Sequence, residues 1–149
     1  MLNLYALKQY ILLNEGWRTK CYPDTAAAHN PTIGVGFNLN QPHARFILKG
    51  LGLDYDSVLQ GKVSLLPHQI MALFNYDLRD AMRETQGYFP NLSLIDDVRQ
   101  IVLIDMVFNL GPVKFSQFHK LIAAVNKAAI SKNQNDWNDA ANEMEFSQG

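Results

Sequence analysis

Leu4, Leu7 and Ile11 recur at helical spacing, with Lys8 and Gln9 between them. That period predicts an amphipathic helix over residues 2–13 that ends near Gly16. The helical period is then lost over residues 17–39. Pro23, Asn30, Pro31, Gly34 and Gly36 punctuate that stretch, and β-branched Thr32, Ile33 and Val35 sit among them, which predicts a hairpin or small sheet. From residue 41 the helical period returns. Residues 41–50 read as a short helix, and Gly50, Gly52 and Gly61 mark a connection through LDYDSVL. A long helix begins with Pro67 in its first turn and keeps Ile70, Leu73 or Phe74, Leu78, Ala81 and Met82 on one stripe until Pro90. Residues 96–110 are apolar on nearly every side, as a buried central helix would be, and Gly111-Pro112 ends it. Two more helices follow, over 115–129 and 134–146.

One helix, a small sheet and then a run of helices define an α+β class, with the sheet confined to an N-terminal lobe. The expected organisation is a single domain over 1–149. Its N-terminal lobe spans about 14–66, and its helical lobe spans about 67–149 and packs with helix 2–13. The long helix 67–88 is placed to join the lobes, with a ligand cleft between them.

Composition narrows the function classes. The chain has 149 residues, 48% hydrophobic and 18% charged, the balance of a globular protein. A net charge of −1 supplies no general attraction to nucleic acid or to an anionic membrane. The single Cys21 rules out an internal disulfide framework. No stretch approaches the ~18 apolar residues of a membrane span, so no stable membrane insertion is expected. The N-terminus lacks the pattern of a signal peptide: Lys8 interrupts its apolar run and no small-residue cleavage site follows. Synthesis in the cytoplasm without a signal peptide is therefore expected, with any action outside it depending on another carrier.

The chemistry concentrates in NEGWRTKCYPDTAAAHNPTIGVGFNL, residues 14–39. Glu15 stands at the end of the first helix, where a negative charge opposes the helix dipole unless a cation such as Arg18 compensates. By itself it reads as a solvated helix-end carboxylate. Asp24 by itself reads as an Asx turn after proline, and Thr32 as an ordinary strand residue. Together they supply what glycoside hydrolysis needs: an acid for the leaving oxygen, a second carboxylate for the opposite face, and a hydroxyl to hold water. Trp17, Tyr22 and Phe108 are sources of the apolar surroundings that keep an acid protonated. Gly34-Val35-Gly36 leads into Phe37 and Asn38 rather than a helix, so it is no nucleotide-binding loop. His29, His43, His68 and His119 have no metal-ligand spacing with Cys21, so no metal and no cofactor are expected. Cys21 near His29 reads as a small buried residue before a nucleophile.

Three ordered blocks carry a resemblance. Asn14-Glu15-Gly16, Tyr22-Pro23-Asp24-Thr25 and Pro31-Thr32-Ile33-Gly34-Val35-Gly36 closely resemble the active-site hairpin of the phage-type lysozymes. Leu73-Phe74-Asn75-Tyr76-Asp77 resembles that family's inter-lobe helix, and Met106-Val107-Phe108-Asn109-Leu110-Gly111 its central helix. Trp137 with Ala140-Ala141 resembles a later helix of the same family. The likeness covers about residues 3–147. It implies a lysozyme-like fold and a muramidase that cuts the β-1,4 bond between N-acetylmuramic acid and N-acetylglucosamine. By the same resemblance Glu15 is the general acid, Asp24 assists the water or stabilises the cationic transition state, and Thr32 positions that water. The family is inverting, which implies a carboxyl separation of roughly 6.5–9.5 Å. Glycan contacts are implied at Phe37, Asn38, Phe108, Phe118 and Glu143. The partner implied is the peptidoglycan glycan strand, met by a monomer that reaches the wall by a membrane lesion, as with a holin, or by injection.

The sequence also departs from the family. Phe37 stands where a His is usual, the stretch from Ala26 to Asn30 differs, and Phe118 and Glu143 replace small polar residues. The resemblance further implies helices beyond Gly149. These departures leave a second reading open, a peptidoglycan-binding module of the same fold with little or no turnover. An adapter that binds protein partners through helices 67–88 and 115–129 is a third. Endolysin, tail-associated lysozyme and bacterial effector stay open as biological settings.

Overall fold

The structure is a computed structural model and describes residues 2–23 and 30–148. Helix α1 (Leu4–Glu15) is followed by strands β1 (Arg18–Pro23), β2 (Pro31–Gly34) and β3 (Phe37–Asn38). Helices α2 (Ala44–Gly50), α3 (Tyr55–Leu59), α4 (Pro67–Tyr88), α5 (Asp97–Leu110), α6 (Pro112–Phe115), α7 (His119–Ser131) and α8 (Gln134–Gln148) complete the order. The chain divides into two compact units, one of residues 8–78 and one of residues 1–7 with 79–149.

In the unit of residues 8–78, β1, β2 and β3 form an antiparallel sheet in that order. Gly16, at φ +66°, takes the left-handed conformation that stops α1, and its N–H donates to the Leu12 carbonyl at 2.9 Å. The chain can then turn at once into β1. Gly36, at φ +98°, serves the tight turn between β2 and β3. Ile33, Val35, Phe37, Leu39, Leu48, Val58, Ile70 and Phe74 are among its buried side chains.

Two short features escape the helical period. Asp54 caps α3 by accepting from the Ser57 N–H at 3.0 Å and the Ser57 hydroxyl at 2.8 Å, so five residues suffice for a helix where the sequence reads as a connection. Pro112 starts α6 as well as ending α5. The start of α4 is doubly specified. Pro67 is its first residue, and the Gln69 side chain accepts from the Leu66 N–H at 2.8 Å, half of a capping box.

The other unit is helical. Its core joins Ala81 and Phe89 to Leu103, Met106 and Val107 of α5, Phe115 of α6, Leu121, Val125 and Ala129 of α7, and Ala140 of α8. Four aromatic rings meet within it. Tyr88 and Phe115 lie 5.1 Å apart, Phe89 and Phe115 6.0 Å, and Phe115 and Phe118 5.9 Å, all tilted or edge-on as ring quadrupoles prefer. Among the described residues no helix is long and apolar enough to cross a membrane.

Candidate active site

Glu15 is the last residue of α1 and is exposed. The helix ends on it because Gly16 can adopt a positive φ and residues 17–22 then pair as a strand. The carboxylate is thereby held at a fixed backbone position next to the sheet. Asp24 and His29 lie outside the described residues, so no structural statement attaches to either.

Thr32 is the middle residue of a row across the sheet. Its Cα is paired with Tyr22 on β1 and with Asn38 on β3, and directly paired residues share a face. Thr32 is only 4% exposed, and its hydroxyl donates to the Asn30 carbonyl at 2.8 Å. That bond uses its one proton and leaves oxygen lone pairs as acceptors. Asn38 is partly buried, and its Oδ1 accepts from the Asn40 N–H at 2.8 Å. The Asn40 side chain in turn donates to Asn30 Oδ1 at 3.2 Å. Asn30 and Asn40 thus fix the surroundings of Thr32. The sequence reading missed them, although Asn-Pro and Asn-x-Asn turn spacing was there to signal them.

Phe37, where the resemblance implies a glycan contact, lies in the core with its ring 1% exposed. An aromatic ring in place of a polar imidazole suits that buried position, because a buried imidazole needs hydrogen-bond partners. In the other unit, Phe108 on α5 is partly buried against the helical core. Phe118 caps α7 and packs edge-on against Phe115. Glu143 is half-buried on α8.

Burial pushes the Cys21 thiol up, and only in part does the Thr32 backbone N–H oppose this. A protonated thiol is a poor nucleophile, which weighs against thiol chemistry here. Arg18 stacks on an aromatic ring of its own strand. Its guanidinium lies over the Tyr22 ring, 4.8 Å from the centroid. Among the described residues no group of three His, Cys, Asp or Glu side chains is placed to hold a metal ion.

A mostly helical chain with one small antiparallel sheet near its N-terminus is an α+β protein with a lysozyme-like fold. The family model for phage lysozyme matches residues 13–148, from the end of α1 through the sheet and every later helix, and the chain belongs to that family. The family is one of peptidoglycan hydrolases that act on the cell wall. No curated protein matches the chain.

Proposed function

We propose that the protein is an endo-acting muramidase that hydrolyses the β-1,4 bond between N-acetylmuramic acid and N-acetylglucosamine with inversion. The observation that carries this reading is the phage lysozyme match, which takes in Glu15 at the end of α1 and Thr32 in the sheet. In this reading the Glu15 carboxyl gives its proton to the glycosidic oxygen as the bond to the anomeric carbon breaks. Asp24 accepts a proton from the attacking water or stabilises the oxocarbenium-like transition state. Thr32 contributes geometry. Its proton is already donated to Asn30, so towards water it acts as an acceptor. A water that donates to it keeps a lone pair for attack on the far face of the sugar.

The test is release of reducing ends from purified peptidoglycan. General acid catalysis contributes about 10²–10⁴-fold, so Glu15→Gln is expected to lower the rate by at least about 10²-fold with the fold intact by circular dichroism. Equal rates for Glu15→Gln and the parent would overturn the proposal. Sedimentation with cell walls without any release of reducing ends, by the parent protein, would favour the binding-module reading instead.

A further inference from the structure

β1 links Glu15 to the stretch that carries Asp24, and its surface is charged in a way the hydrolysis above does not use. Trp17 is 56% exposed, and Arg18 and Lys20 are exposed. With Thr19, Cys21 and Tyr22 they line an open hollow along the strand. Among the described residues neither Arg18 nor Lys20 forms an ion pair, although the chain as a whole carries −1.

Arg18 is also held in place. Residues four apart along a regular strand are separated by ~13 Å. Here the pairing shifts between Arg18↔Gly34 and Tyr22↔Thr32, so residues 19–21 of β1 oppose residue 33 alone. Such a bulge bends the strand. The guanidinium comes to lie over the Tyr22 ring at 4.8 Å. Stacking covers one face of the guanidinium and leaves its N–H edge able to take a carboxylate with two parallel hydrogen bonds. Tyr22 is the direct cross-strand partner of Thr32. The stacked cation therefore stands on the face of the sheet that carries the water-positioning hydroxyl, one strand away.

We infer that the Arg18–Tyr22 stack is a positioning site for a carboxylate borne on the muramyl residues of the glycan. That carboxylate is either the lactyl group itself or one on the attached stem peptide. The inference rests on the muramidase reading for its substrate. Its role is to set the register of an anionic strand against Thr32.

Binding separated from turnover is the direct test. The Glu15→Gln protein is sedimented with intact peptidoglycan, with glycan stripped of stem peptides, and with glycan whose carboxylates have been amidated. Charged hydrogen bonds at a solvent-accessible site are modest, so Arg18→Gln on that background is expected to weaken binding to carboxylate-bearing glycan by about fivefold to tenfold. Binding to amidated glycan is expected to be unchanged. An effect that persists on stripped glycan assigns the lactyl carboxylate, and one seen only on intact material assigns the stem peptide. Arg18→Lys keeps the charge and loses the fork, and is expected to fall between the two. It serves as the second variant if Arg18→Gln does not fold. Equal binding of the substituted and unsubstituted proteins to intact glycan overturns the inference, as does an equal loss on amidated glycan. Failure of the muramidase reading appears elsewhere, as a parent protein that releases no reducing ends.

Discussion

Thr32 illustrates how much one side chain gains from its surroundings. The residue type says only that a β-branched side chain favours a strand. Its burial and its bond to the Asn30 carbonyl turn the hydroxyl into an oriented acceptor. Thr32→Ser keeps that oxygen and is expected to retain most activity. Thr32→Val keeps the shape and removes the acceptor. If Thr32 orients the water, Thr32→Val is expected to lower kcat by about tenfold to a hundredfold, the scale of a misplaced reactant, with KM little changed. Steady-state kinetics on soluble glycan fragments checks the split, and a rise in KM at constant kcat would assign Thr32 to substrate binding instead. Phe37 makes the opposite point. Its position in the sequence reads as a site residue, while its place in the core makes it a packing residue.

At the scale of elements, helix ends do more than helix interiors to specify the layout. Asp96 caps α5, accepting from the Arg99 N–H at 3.2 Å and from Arg99 Nη1 at 2.7 Å. Partial burial pushes its carboxyl up, but the Arg99 side-chain and backbone donors, with the Arg99 charge, outweigh this and hold it below the usual carboxylate range. A carboxyl depressed in the folded state stabilises the fold above its unfolded pKa of about 3.9, and that contribution is lost as pH falls through the folded value. Asp96→Ala is therefore expected to cost about 1 kcal/mol at neutral pH, and the gap to the parent is expected to narrow below about pH 3. Urea denaturation of both proteins at the two pH values checks it. The side chains of this pair are 41% and 47% exposed, so solvent screens the ion pair and the cap carries most of the effect.

For the whole molecule, the contrast is between an apolar helical core and a small sheet whose edge strand is polar. The helical unit depends on Phe115, which is fully buried and touches three other rings. Phe115→Ala is expected to cost about 3–5 kcal/mol, read as a lower denaturation midpoint with an unchanged slope. A loss under 1 kcal/mol would mean that the surrounding rings close the cavity. Low net charge has a consequence at this scale too. With −1 overall, net charge supplies little long-range attraction to an anionic polymer, so the proposed role of the β1 cations is a local one.

Much of this protein was legible from its residues alone. The α+β class, the long helix from Pro67, the central helix and the hairpin after Glu15 all follow from periodicity and turn residues, because those signals act within a few residues along the chain. The membership of its hairpin in a lysozyme-type pattern was legible for the same reason, since the motif is local. Helix α3 was not, because one Asp side chain replaces the length a periodic signal needs. The burial of Phe37, the bond from Thr32 to Asn30 and the stack of Arg18 on Tyr22 were decided only in three dimensions. Burial depends on what the rest of the fold packs against a ring, the Thr32 bond on the local backbone turn that aims the Asn30 carbonyl at the hydroxyl two residues on, and the stack on the register shift of β1 between Arg18 and Tyr22.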